Sequence, residues 1–168
     1  YCRPTGFWRP RPMWNGMKSV VFCTSQRFRF ELDEFVEKLK ERARERDAHI
    51  VVFTPNFEGD DPALAQLHER ERLNDHLYRA TVAGKVYDHL FRKVRVADIC
   101  FIFNKNGYIG INTSGELFAA AILGKTIYAL DKRMLMGQYP HDLYEEPSPH
   151  KLVHEIVESP EDLLMRLL

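Results

Sequence analysis

The chain has 168 residues, 45% of them hydrophobic, with 24 basic residues set against 24 acidic ones. That length suits one domain with a real core, and the balanced charge excludes a global field for DNA, RNA or an anionic membrane, so the expected partner is a small molecule and any phosphate binding is local. No apolar run approaches the roughly 20 residues that span a bilayer, and three scattered cysteines, Cys2, Cys23 and Cys100, are too few for a disulfide framework, which suits a reducing cytoplasm.

Residues 1–16 combine prolines with Phe7, Trp8 and Trp14 and show no helical or strand period and no hydrophobic segment of a secretory signal. They read as an extension or leader outside the core, or as an arm that packs on a partner subunit, with a single domain over 17–168. Residues 18–23 read as a central strand because Val20, Val21, Phe22 and Cys23 form a continuous apolar run, as expected of a parallel strand covered on both faces. The polar turn Thr24-Ser25-Gln26-Arg27 comes next, and Leu32, Phe35, Val36, Leu39 and Ala43 then recur at helical spacing over 30–46. A strand that ends in hydroxyl residues at a helix N-terminus is a place for an anion, with Arg27 able to add a charge-assisted bond; equally, Ser25 caps the helix and Arg27 is solvated.

A second strand spans 49–54, a loop 56–62, and charged helical patterns 63–79 and 82–94. His68 and His76 lack the spacing of a metal pair, so no metal site is expected. Asp88 and His89 lie on the second of these helices. Residues 96–103 read as a buried strand running into the glycine-rich loop 107–115, which delivers Glu116 into the first turn of an apolar helix, 117–123; Gly124 ends it before another strand, 126–130. Residues 131–149 are irregular, placed to lid a pocket or reach a neighbouring subunit. A last strand covers 151–158, and Ser159-Pro160-Glu161-Asp162 opens a terminal helix with a serine cap, proline at the first position and acids in the first turn.

Strands alternating with helices predict an α/β flavodoxin-like three-layer sandwich whose five-stranded parallel sheet has the order 2-1-3-4-5. Its crevice opens between the first and third strands and brings Ser25 and Glu116 to one edge. Three roles are open to Glu116: a nucleophile toward an electrophilic carbon, a general base toward water, or an acid placed where the helix dipole favours it. Gly110 and Gly115 allow close backbone approach to a ligand, and Asn112, Thr113 and Ser114 supply donors for sugar hydroxyls or phosphate, beside Thr24, Ser25 and Arg27.

The run Val96-Ala97-Asp98-Ile99-Cys100-Phe101-Ile102-Phe103, the glycine loop, Gly115-Glu116-Leu117-Phe118-Ala119 and Leu123-Gly124-Lys125-Thr126 together resemble the nucleoside 2-deoxyribosyltransferase superfamily, including its deoxynucleotide N-hydrolase branch. The loop 110–116 is also similar, more weakly, to the GGxGTxxE signature of phosphoribohydrolases, with Ile109 and Asn112 in place of two glycines. The resemblance covers 18–168 in element order and 96–130 in motif detail. It implies that Glu116 attacks the anomeric carbon of a nucleoside or nucleoside 5′-monophosphate or assists its hydrolysis, that no cofactor is needed, and that the protein is a homo-oligomer. Where those transferases carry two further aspartates, this chain has Gly110 and Leu90; Asp88 is the nearest replacement for the second, and Asp88, Asp98 and His89 are the candidate proton donors to the leaving base. The competing reading is a non-catalytic nucleotide-binding domain of the same fold.

Overall fold

The computed structural model describes residues 18–58, 63–64 and 67–168. The extension read over 1–16 lies outside the described residues, as does part of the loop read over 56–62. The elements are β1 (Ser19–Cys23), α1 (Arg29–Glu45), β2 (Val51–Phe53), the short α2 (Glu69–Arg72), α3 (His76–Asp88), β3 (Ile99–Ile102), α4 (Ile111–Ile122), β4 (Thr126–Ala129), β5 (Leu135–Gln138), β6 (Asp142–Glu145), α5 (Pro147–Leu152), β7 (Glu155–Ile156) and α6 (Pro160–Leu167).

Five strands form one parallel sheet in the order β2-β1-β3-β4-β7. This is the predicted 2-1-3-4-5 order of a flavodoxin-like fold, with β7 as the fifth parallel strand because a separate antiparallel hairpin, β5-β6, intervenes. Alternation along β1 explains the three layers. Val20 and Phe22 point to one face, where they join Phe101 from β3, Leu32, Phe35 and Leu39 from α1 and Leu163, Leu164 and Leu167 from α6. Val21 and Cys23 point to the other, against Cys100, Ile102 and Ile127 of the sheet and Leu117 and Ala120 of α4. Phe22, Phe35 and Phe101 pack with ring centroids 5.1 to 5.9 Å apart, so truncating Phe22 to alanine costs about 3–5 kcal/mol.

Three local expectations differ from the structure. The helices read over 63–79 and 82–94 divide elsewhere: α3 starts after Asp75, whose carboxylate accepts from the Tyr78 N–H at 2.6 Å, and runs without a break into a π-helical stretch, His89–Val94. Residues 111–115, read as loop, are the first turn and a half of α4, with Gly110 as its N-cap. Within 131–158, the stretch read as irregular holds the hairpin and part of α5, and Lys151 and Leu152 belong to that helix rather than to the last strand.

Asn104, fully buried just after β3, ties the sheet to the hairpin. Its side-chain amide donates to the carbonyls of Asp131 and Arg133 at 2.9 Å, and its side-chain oxygen accepts from the Leu130 and Asp131 N–H groups at 3.0 and 2.9 Å. One side chain thus fixes the exit of β4 and the entry to β5. The hairpin is drawn against the loop before α4 by the Ile109 N–H, which donates to the Leu135 carbonyl at 2.8 Å.

Candidate active site

A cavity of about 420 Å³ opens at the carboxyl ends of β1 and β3, where the strand order reverses and ligands of open α/β sheets settle. The turn after β1, the face of α3, the N-terminal turns of α4 and the hairpin wall it; Met136, Gly137, Gln138 and Tyr144 come from the hairpin. Gly137 holds φ +115°, and a Cβ there would sit 2.3 Å from the Asp142 carbonyl oxygen, so the wall requires glycine at that point.

Because 111–115 are helical, the polar residues are ordered by helical geometry. Asn112, Thr113 and Glu116 stand at i, i+1 and i+4, on one face of α4, and all three line the cavity with Gly110 and Ile111. Ser114 and Gly115 do not line it: Ser114 is buried on another side of the helix, and Gly115 is exposed, with nothing within 4 Å of a Cβ built there. Glu116 lies in the second turn, and the first turn holds no acid, which removes the simple dipole account of its placement.

Thr24, Ser25 and Arg27 line the cavity, and each has partners within the chain. The Thr24 hydroxyl donates to the Phe103 carbonyl at 2.8 Å, and the Ser25 hydroxyl oxygen accepts from the Arg27 N–H at 3.4 Å, capping the short turn Gln26–Phe28 rather than α1. The Arg27 guanidinium lies 5.8 Å from the Tyr139 ring centre, and Tyr139 packs in turn on Phe28 and Tyr108.

Asp88 does not reach the cavity. Its carboxylate is paired with Arg92 at 3.2 Å on the outer side of the helix, and its neighbour His89 turns inward instead. Asp98 lies at the opposite edge of the sheet, where its carboxylate accepts from the Ser19 N–H and hydroxyl at 2.9 Å. Residues not anticipated from sequence complete the lining, notably Tyr108, Arg72, Tyr78 and Lys85. Among the described lining residues Glu116 is the one acid, against the cations Arg27, Arg72 and Lys85.

At the floor, Glu116 is 6% exposed and His89 3%. His89 Nε2 is 4.0 Å from Glu116 Oε1 and 3.6 Å from Cys23 Sγ, which is itself 3.7 Å from Cys100 Sγ. Burial raises the Glu116 carboxyl from 4.5 to about 7, with the neighbouring Cys23 thiol pulling weakly the other way. Burial, helped by the Lys93 charge, lowers His89 from 6.5 to about 4, so it is neutral at pH 7. Burial and the adjacent Cys100 push the Cys23 thiol well above its ordinary value. A carboxyl poised near neutrality can carry a proton or a negative charge with little cost in switching, the property asked of a catalytic acid, base or nucleophile.

Fold and site together define a flavodoxin-like α/β domain with one desolvated carboxyl at the ligand-binding edge of its sheet. No family model and no curated protein matches the sequence. Among solved structures, the chain is similar to a conserved protein from Enterococcus faecalis V583, at 18% identity over 90% of this chain and 97% of that one, with a TM-score of 0.52; this likeness is one of fold. It is also similar to a 2-deoxyribosyltransferase from the psychrotolerant bacterium Bacillus psychrosaccharolyticus, at 20% identity over 87% of this chain and 90% of that one, with a TM-score of 0.46.

Proposed function

We propose that the cavity binds a (deoxy)nucleoside or nucleoside 5′-monophosphate and that Glu116 cleaves its N-glycosidic bond, by hydrolysis ahead of transfer. The observation that carries this reading is the Glu116 carboxyl itself: nearly buried, with an acidity near pH 7, on the same helix face as Asn112 and Thr113. The motif resemblance over 96–130 supplies the reaction class. As the base departs, positive charge builds on the anomeric carbon, and a carboxylate held beside it in a low-dielectric pocket stabilises that charge or traps it covalently. Asn112 and Thr113 hold the sugar so that its anomeric carbon meets the acid. Arg27, Arg72 and Lys85 line the cavity as well, each already held by partners within the chain, and a 5′-phosphate that joined those contacts would gain charge-assisted hydrogen bonds, which favours the 5′-monophosphate over the free nucleoside. His89, neutral and within reach of the site, is the better placed of the proton-donor candidates, as a hydrogen-bond donor to the leaving base; Asp88 and Asp98 point elsewhere.

Incubation with a panel of deoxy- and ribonucleosides and their 5′-monophosphates, with chromatography for free base, tests this. Release confined to 5′-monophosphates and lost in Glu116→Ala supports it. No release, with thermal stabilisation by a nucleotide, supports the non-catalytic binding domain instead, a reading favoured by the absence of a second carboxylate from the described lining.

The same proposal includes a homo-oligomer. Ile111, Phe118 and Ile122 lie exposed along α4, and Leu77, Tyr87 and Phe91 along α3 and its π-helical continuation, which packs on α4. These six exposed apolar side chains are the surface offered to a second copy of the chain. No helix among the described residues is long and apolar enough to cross a membrane. The free, buried thiols of Cys23 and Cys100 fit a reducing compartment such as the cytoplasm.

A further inference from the structure

We propose that Cys23, His89 and Glu116 form a binding site for a divalent metal ion of the zinc class, and that the ion, when bound, shuts the glycosidic site. The three side chains come from the end of β1, the junction of α3 with its π-helical stretch, and the second turn of α4, positions with no common sequence motif. Each offers one ligand atom, all three residues are buried, and the ligand atoms lie within 4.8 Å of one another.

The distances suit a small tetrahedral ion. With Zn–S about 2.3 Å and Zn–N about 2.05 Å, tetrahedral angles place sulfur and nitrogen about 3.6 Å apart. Cys23 Sγ and His89 Nε2 are 3.6 Å apart. The same geometry asks for about 3.4 Å between nitrogen and a carboxylate oxygen. The 4.0 Å from His89 Nε2 to Glu116 Oε1 closes to that with a small side-chain rotation. The donor set selects the ion: magnesium and calcium require oxygen ligands, whereas one sulfur, one imidazole nitrogen and one carboxylate oxygen suit zinc and its neighbours. His89 and Glu116 line the cavity, which gives the ion an entry path and leaves a fourth position for water.

The electrostatics leave room for such a charge. Among the described residues no lysine or arginine forms an ion pair with Glu116, so the buried carboxyl has no direct cationic partner, while the nearest cation acting on His89 is Lys93 on its own helical stretch. On binding, the Cys23 thiol loses its proton to solvent and becomes a thiolate ligand, His89 contributes the lone pair of Nε2, and Glu116 coordinates as the carboxylate. A carboxylate whose lone pair is held by the ion is not available to a sugar, so substrate and metal exclude one another. This inhibitory half rests on the reading of Glu116 as the reacting carboxylate; the binding half does not.

Cobalt(II) separates the two. Titration of the metal-stripped full chain with Co²⁺ should produce near-ultraviolet sulfur-to-cobalt charge-transfer absorption that saturates at one equivalent and is bleached by Zn²⁺. Cys23→Ser should abolish the band, Cys100→Ser should keep it, and Glu116→Gln should keep it while weakening Co²⁺ binding by at least about tenfold. Circular dichroism checks that each variant is folded, and if Cys23→Ser does not fold, His89→Gln takes its place with the same expected loss of affinity. Absence of the band, or its survival in folded Cys23→Ser, overturns the site. Given the band, one equivalent of Zn²⁺ should suppress base release competitively with substrate; release unaffected by bound zinc overturns the inhibitory half. A band without base release from any substrate leaves the metal site standing and refutes the glycosidic reading of Glu116.

Discussion

Replacing Glu116 by glutamine should stabilise the protein at alkaline pH, and the size of the gain comes from the site. The carboxyl has an acidity of about 7 in the folded chain against 4.5 ordinarily, so the folded state holds its proton over a range in which the unfolded state has released it. Stability from this group is fully present below pH 4.5 and is lost as pH rises to about 7, a loss of about 3 kcal/mol at about 1.4 kcal/mol per tenfold. His89 acts with the opposite sign. Its folded value of about 4 lies below the usual 6.5, so stability is lost as pH falls from 6.5 to 4, by a similar amount. Between about pH 4.5 and 6.5 the two largely cancel, and the raw pH profile of the wild type conceals both. The difference between wild type and Glu116→Gln isolates the carboxyl. Urea unfolding at pH 5 and at pH 8 should show the variant gaining about 2.5 kcal/mol relative to wild type at the higher pH. A difference that does not change with pH would refute the assignment of a desolvated, uncompensated carboxyl at the cavity floor.

Three other changes probe the parts around it. Asn104→Leu leaves the Asp131 N–H and the Asp131 and Arg133 carbonyls without their side-chain partner and should cost about 3 kcal/mol in urea unfolding; a loss well under 1 kcal/mol contradicts the role given to it. Asp88→Asn should leave base release within about twofold of wild type, because the carboxylate lies on the outer side paired with Arg92; a large drop in rate would return Asp88 to the site. Ile122→Glu together with Phe118→Glu should convert an oligomer to a monomer in sedimentation velocity, and a wild type that is already monomeric at high concentration removes the proposed interface.

The centre of the sheet was legible because β1 and β3 are buried on both faces and so appear as unbroken apolar runs: residues 20–23 and 99–102 announce themselves without any period. The start of α4 was not. Gly110, Asn112, Thr113, Ser114 and Gly115 have poor helical propensity and read as loop, yet anchoring of Leu117 and Ala120 in the core carries the helix back over them. That single difference decides the site, since a helix aligns Asn112 and Thr113 with Glu116 whereas a loop leaves their directions open. The sequence does carry a signal for His89 over Asp88: Val82, Val86 and His89 succeed each other at four and three residues and share a face, while Asp88 is two positions from Val86. The hairpin had no such signal, as Leu135–Gln138 and Asp142–Glu145 are short, mixed in polarity and separated by Pro140. Nor does any local pattern announce the meeting of Cys23, His89 and Glu116, which only the parallel sheet and the helix layered on it bring together.

At the centre stands the role of Glu116 in making or stabilising the bond change at an anomeric carbon. The most direct measurement is the rate of base release from a 2′-deoxynucleoside 5′-monophosphate by wild type and by Glu116→Gln, across pH 5 to 9. Wild-type kcat/KM should rise with pH through a single ionisation near 7, as the carboxyl becomes carboxylate, and the glutamine variant should be reduced by at least about a thousandfold above pH 7 and show no such ionisation. Base release by Glu116→Gln at the wild-type rate, or with the same ionisation near 7, would contradict that role.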